Sequence, residues 1–222
     1  MEKSCWRRSR MHKIYVLGMG PGSKEYILPI TTEKILESDV LIGGRRNLQY
    51  FEEMDKEKIY IGADLEGVIT YAKEQCKEKK VAFLLSGDTG FYSMLKTLKQ
   101  HFLASEMIVI PGISSFQYLM ARIGEPWQDA FIGSLHGRSF DLIQIVASHE
   151  KVVLLTDTVN SPKKIASMLI THGFENKTMV VGSNLSYEDE QILQGMPKEI
   201  LGMQDFNMSV VVIKDGENPM EL

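Results

Sequence analysis

Cysteine is scarce: only Cys5 and Cys76 occur in a chain of 222 residues. Two thiols so far apart in sequence supply neither a disulfide framework nor a zinc knuckle, and they fit the reducing cytoplasm. Long apolar runs are missing too. Nothing approaches the roughly 18 consecutive apolar residues that a membrane-spanning helix requires. The short run Ile14–Leu17 behind the basic N-terminus is no signal peptide. No membrane partner is therefore expected. An excess of positive charge is also lacking. The net charge of −4 argues against a nucleic-acid partner held by bulk charge. The five histidines form no H-x-x-x-H or H-E-x-x-H pair, so no metal site is expected. A G-x-S-x-G elbow is absent, which leaves a hydrolase nucleophile unsupported.

What is present is ordinary globular material, 44% hydrophobic and 24% charged, in a length sufficient for one large domain or two small ones. The opening MEKSCWRRSR carries Lys3, Arg7, Arg8 and Arg10 against Glu2, and a second methionine, Met11, follows it. Residues 1–12 read as a disordered or dispensable leader. From there short β-rich runs alternate with helical periodicity, the pattern of an α/β protein. Strands are predicted at 13–18, 39–43, 58–61, 81–86 and 106–110, with helices near 31–38, 45–53, 65–78 and 92–103. After a helix at about 115–123, a second series has strands near 130–134, 151–156, 178–183, 190–195 and 208–214, with helices near 139–148 and 162–171. Ser161-Pro162 suits a helix start and Gly173 a helix end. Cys76 shares a helical face with Leu65, Val68, Ile69 and Ala72 and is expected in the core. The last 45 or so residues show no helical stretch, so the second sheet is expected to be mixed. Two α/β domains result, 13–113 and 114–222.

Three strand ends could carry chemistry. The first, "YVLGMGPGSKEYILPIT", places Gly18, Gly20, Pro21 and Gly22 after a strand. A dinucleotide fingerprint would need glycine where Ser23 stands and a helix at once, whereas a helix cannot start cleanly before Pro29. A nicotinamide oxidoreductase is disfavoured. The glycines still imply a close approach of backbone, either as a tight turn or to a ligand. The second, "VAFLLSGDTGFYSM", ends a buried strand on Ser86-Gly87-Asp88, where ligands bind in open α/β sheets. Asp88 could accept from a ribose or amino group, or cap the next helix. The third, "PGISSFQYLMARIGEPWQDAFIGSLHGR", places Ser114 and Gln117 at capping-box spacing and leaves Ser115 less accounted for. His136 and Arg138 then follow a strand: a histidine can move protons near neutral pH, and an arginine can clamp a carboxylate. A surface loop would account for the pair as well.

Taken in order, GMGPG, SGDTGFYS, PGISSFQYLMARIGEPWQDAFIGSLHGR, LLTDTVNSP and NLSYEDEQI resemble the tetrapyrrole (corrin/porphyrin) methylases, from about Lys13 to Lys214. The SLHGR and SYEDE segments resemble most the members that methylate C5 of a corrin-ring intermediate (cobalt-precorrin-7 type) in cobalamin biosynthesis. The resemblance implies two α/β domains, with the cofactor S-adenosyl-L-methionine in the cleft between them, and a homodimer. It places Gly87, Asp88 and Phe91 beside the methionine and ribose parts, and Ser114 and Ser115 on the cofactor as well. Backbone at Thr156 and Leu185 would hold the adenine, with Pro21 at the border of the cleft. Where this chain reads Gly87-Asp88-Thr89, family members often read Gly-Asp-Pro. His136 and Arg138 would face the macrocycle in catalysis. An anionic tetrapyrrole needs local cations, and Arg45, Arg46 and Arg138 are expected to supply them. Association with a separate C15-methylating decarboxylase is a further expectation. Another acceptor for a methylase of the same fold is one alternative, and a non-catalytic cofactor-binding partner of a separate decarboxylating methylase is the alternative from another functional class.

Overall fold

The five apolar runs of the first half are strands: β1 (Ile14–Gly18), β2 (Val40–Gly43), β3 (Glu57–Tyr60), β4 (Val81–Leu85) and β5 (Met107–Ile110). The structure is a computed structural model, and residues 12–138 and 140–216 are described. Most of the expected leader lies outside them. His12, placed at its end, donates its N–H to Cys76 O at 2.8 Å. The strands form one parallel sheet in the order β3-β2-β4-β1-β5. β1, β2 and β4 are buried along their whole length, as parallel strands covered on both faces require.

Alternate residues of each strand point to opposite faces, and the core follows that rule. Ile14, Val16, Ile42, Val81 and Phe83 pack with α3 (Leu65–Gln75) and α4 (Leu95–His101) on one side. Tyr15, Leu17, Leu41, Ala82 and Leu84 pack with α1 (Pro29–Glu37) and α2 (Arg45–Leu48) on the other. Cys76 is buried beside Ile69 and Ala72, as its helical face implied. Asp64 caps α3 by accepting from Gly67 N at 2.9 Å. Three helices expected in this half are shorter than the sequence implied, among them α3, which ends at Gln75 rather than near 78. The helix expected over 45–53 ends at Leu48 and continues as a 3-10 turn, and α4 starts at Leu95 rather than near 92.

The chain divides into two units between Ser114 and Ser115. The second contains α5 (Ser115–Arg122), β6 (Phe131–Ser134), α6 (Leu142–Ser148), β7 (Lys151–Leu155), α7 (Pro162–Thr171), β8 (Thr178–Ser183), β9 (Gln191–Gly195), α8 (Pro197–Gly202) and β10 (Ser209–Lys214). Its sheet is mixed, as expected. The order is β6-β7-β10-β8-β9, with β6 and β7 parallel and the other pairs antiparallel. Helices α6, α7 and α8 bury Val146, Ile165, Leu169 and Ile200 against one face. On the other face α5 presses Leu119 onto Gly182, where a Cβ would come within 2.8 Å of the leucine Cδ1. Ser161 Oγ caps α7 and Pro162 opens it, and Gly173, at φ +80°, follows its end.

One expectation fails here: the last 45 or so residues are not strands alone. Helix α8 lies between β9 and β10. Pro197 stands at its first position, and Glu199 accepts from Met196 N at 2.7 Å. Its six residues are too few to display a helical period.

Candidate functional site

All five strands of the first sheet end on one edge, and that edge is built from glycine. Gly20 and Gly87 exchange backbone hydrogen bonds across the ends of β1 and β4, at 3.2 and 2.8 Å. Both have positive φ, +78° and +69°, which glycine adopts without steric cost. A Cβ on Gly112, after β5, would overlap Gly87 O and stand 2.8 Å from Gly18 C. The close approach that the glycines imply is therefore of backbone to backbone. Three loops nest on one another, which accounts for the failed dinucleotide spacing.

Asp88 lies on this nest, and it does not cap α4, whose first residue comes seven positions later. Its Oδ1 accepts from Gly90 N at 2.8 Å and its Oδ2 from Gly112 N at 3.2 Å. Each oxygen takes one amide, which leaves each a further lone pair for another donor. Beside it Phe91, half-buried, meets Tyr92 edge-on at 4.8 Å. Pro21 follows the nest and is half-buried. Ser114 is buried and Ser115, the first residue of α5, is half-buried.

Arg45 and Arg46 are exposed just after β2. The Arg45 guanidinium lies over the Tyr60 ring, 5.3 Å from its centroid, a cation–π contact that pre-orients it. Asn47, which sequence reasoning passed over, is buried behind them. It donates to Leu84 O at 2.9 Å and accepts from Ser86 Oγ at 3.3 Å. That pair of bonds ties the arginine turn to the end of β4.

In the second unit β6, β7 and β8 run the same way and their ends share an edge. Leu135 N donates to Leu155 O at 2.9 Å. Thr156 Oγ1 donates to Ser209 O at 2.7 Å, and Asn184 N to Met208 O at 3.2 Å. Thr156 and Leu185 are thus buried on either side of β10, at 8% and 4% exposure. Asn184 and Ser186 flank Leu185 with φ of 49° and 68°. The Leu185 peptide N–H and C=O have no hydrogen-bond partner among the described residues. Orphaned backbone groups on a buried residue are rare, and they suit a ligand whose edge offers both a donor and an acceptor.

His136 and Arg138 are exposed on the turn after β6. Gly137, at φ +63°, makes that turn possible, and Arg138 N closes it onto Leu135 O at 3.2 Å. Asp157, a second residue that sequence reasoning did not single out, grips the turn from the end of β7. Its Oδ2 accepts from Gly137 N at 2.8 Å, and its Oδ1 from Val159 N at 3.0 Å and Asn160 N at 2.6 Å. The amides of Asn160 and Gly137, helped by Val159 N and the neighbouring His136, hold its carboxyl below the usual carboxylate range despite some desolvation. The SYEDE segment turns out to fold on itself: Glu190 accepts from Ser186 N at 2.6 Å and pairs with Arg122 at 2.9 Å. Burial works against its ionisation, but the bonds from Ser186 N, Tyr118 and Arg122 outweigh it and leave its pKa lowered. Among the described residues no cluster of histidine, cysteine and carboxylate side chains could hold a metal ion. None of the described helices is long and apolar enough to cross a membrane.

Comparison with known proteins gives these edges a context. The model of the tetrapyrrole (corrin/porphyrin) methylases matches residues 13–201. A cobalt-precorrin-7 C(5)-methyltransferase from Salmonella typhimurium is 36% identical over 90% of this chain and 98% of its own length. A probable enzyme of that name from Methanocaldococcus jannaschii is also 36% identical, over 92% of this chain and 98% of its own. Among solved structures, uroporphyrin-III C-methyltransferase from Thermus thermophilus complexed with S-adenosyl homocysteine superposes with a TM-score of 0.73. That match is at 18% identity and covers 91% of this chain and 97% of that one. At such low identity it shows a shared fold.

Proposed function

The chain belongs to the tetrapyrrole (corrin/porphyrin) methylases, and we propose that it transfers a methyl group from S-adenosyl-L-methionine to C5 of a corrin-ring intermediate of the cobalt-precorrin-7 type, in cobalamin biosynthesis. Identity of 36% with two C(5)-methyltransferases, over nearly the full length of each, carries the choice of acceptor. The residues present fit the cofactor. Asp88 keeps free lone pairs for an amino or hydroxyl donor beside Gly87 and Phe91, with Ser114 Cα 3.7 Å from where a Cβ on Gly87 would stand, Ser115 next to it in the chain, and Pro21 just after Gly20. Leu185 offers unpaired peptide groups to an adenine edge, and Thr156 is anchored through Ser209 at the same edge.

The bound sulfonium supplies the methyl group and the leaving group together. The protein's part is therefore to hold the ring carbon in line and to exclude water. Arg45, Arg46 and Arg138 bind the acetate and propionate rim, each as a guanidinium facing carboxylate. His136, on the Arg138 turn, hydrogen-bonds the ring substrate. The protein works in the cytoplasm as a homodimer and associates with a separate C15-methylating decarboxylase; sedimentation alone and with that partner tests both. The experiment for the activity is incubation with methyl-labelled S-adenosyl-L-methionine and a cobalt-precorrin-7 acceptor. Label located at C5 by NMR supports the reading. Label on another carbon, or turnover only with a different tetrapyrrole, refutes the choice of acceptor.

A further inference from the structure

The Leu135–Arg138 turn starts from a buried residue, Leu135, whose N–H donates to Leu155 O at 2.9 Å, and then runs out to the surface. Gly137 at its centre lacks a side chain, and His136 and Arg138 are exposed. The local bonds, Arg138 N to Leu135 O and His136 N to Ser134 Oγ at 3.2 Å each, fix its shape but not its placement. Beyond the Leu135 N–H bond to Leu155 O, two further ties to its placement come from the loop after β7. Asp157 Oδ2 takes Gly137 N, and Asn160 Nδ2 donates to Leu135 O at 3.0 Å. Parallel pairing makes this possible, since Ser134 lies opposite Leu155 and the next residues of each strand leave the sheet side by side. The other carboxylate oxygen is anchored by Val159 N and Asn160 N. One carboxylate thus joins a rigid turn of its own loop to the turn that bears the proposed acceptor-binding pair.

We infer that Asp157 is a positioning residue of the acceptor site: its carboxylate fixes where His136 and Arg138 meet the anionic tetrapyrrole. The inference rests on the proposed function and extends it to a residue that does not touch the substrate. Asp157→Asn separates the two halves of the grip. The amide oxygen can still serve Val159 N and Asn160 N, while an NH2 group replaces the acceptor that faces Gly137 N–H.

The variant is expected to unfold at a modestly lower denaturant midpoint, because Gly137 N–H loses a charged acceptor, and to bind S-adenosylhomocysteine within about twofold of wild type. Amide hydrogen exchange over residues 134–138 is expected to accelerate at least about tenfold, and KM for the corrin acceptor to rise by a similar factor, the equivalent of one lost charge-assisted bond. Unchanged exchange and unchanged KM in the variant would overturn the inference. So would a parallel loss of stability and cofactor affinity, which would make Asp157 a brace of the β7 loop only. Failure of the wild type to methylate any corrin would instead sink the proposed function, and the exchange measurement, which needs no substrate, would still judge the tie between the turns.

Discussion

Replacing Gly112 by alanine should damage the first unit severely. The added Cβ would overlap Gly87 O and stand 2.8 Å from Gly18 C and 2.9 Å from Gly18 Cα. Every one of these neighbours is backbone, so no side chain can swing aside, and the ends of β1 or β4 must move. Overpacking at a core site costs about 1–3 kcal/mol, and an unyielding site belongs at the upper end. Movement also strains the bond from Gly112 N to Asp88, a charge-assisted contact worth about 1.5–3 kcal/mol. Together the loss is about 3–5 kcal/mol, a large share of the roughly 5–15 kcal/mol that holds a domain folded. Urea unfolding followed by far-UV circular dichroism measures it, with Gly62→Ala as the control, because nothing lies within 4 Å of a Cβ there. A cost under about 1 kcal/mol at Gly112, or an equal cost at both glycines, would refute the nested-loop reasoning.

Asp88→Ala leaves the Gly90 and Gly112 amides without their acceptor, so a stability loss of about 1–3 kcal/mol is expected alongside weaker S-adenosylhomocysteine binding. Unchanged affinity would remove Asp88 from the cofactor site. Arg138→Ala should raise KM for the corrin acceptor roughly ten- to hundredfold, the worth of one arginine–carboxylate pair, and leave cofactor affinity unaltered; steady-state kinetics and calorimetry separate the two. Glu125 lies 2.6 Å from both Lys151 and Lys214, and these two ammonium groups lower its pKa from the ordinary 4.5. A depressed carboxyl stabilises the fold above its unfolded value, and that stability disappears as pH falls through the lower folded value. Glu125→Gln should therefore cost about 1–2 kcal/mol at pH 7 and nothing once the wild-type carboxyl is protonated. Urea midpoints across the acid range check this, and an equal cost at every pH would contradict it.

Much of the fold was legible because its buried strands declare themselves. IYVLG, VAFLL and SVVVIK are continuous apolar runs closed by glycine, serine or lysine, and each is a strand buried at nearly every position. Helix α7 was readable to the residue, since Ser161-Pro162 and Gly173 mark both ends. Helix α8 was missed because PKEILG is a single capped piece without room for a period. In the site, the strand ends were legible but their partners were not. Gly18, Gly87 and Gly112 touch only because β4 and β5 flank β1, an order that no local pattern encodes. Asp157 shows the same gap. Its bonds to Val159 and Asn160 have the Asx-turn form that Asp in TDTVN invites, whereas its bond to Gly137 spans twenty residues and depends on the pairing of β6 with β7.

The central claim is that these glycine-lined edges serve a sulfonium methyl donor and not a dinucleotide. The most direct measurement is calorimetric titration of the protein with S-adenosylhomocysteine, with NADH titrated under the same conditions. Saturable one-to-one binding of S-adenosylhomocysteine, with no heat from NADH, is the expected result. Binding of NADH without S-adenosylhomocysteine would contradict the claim.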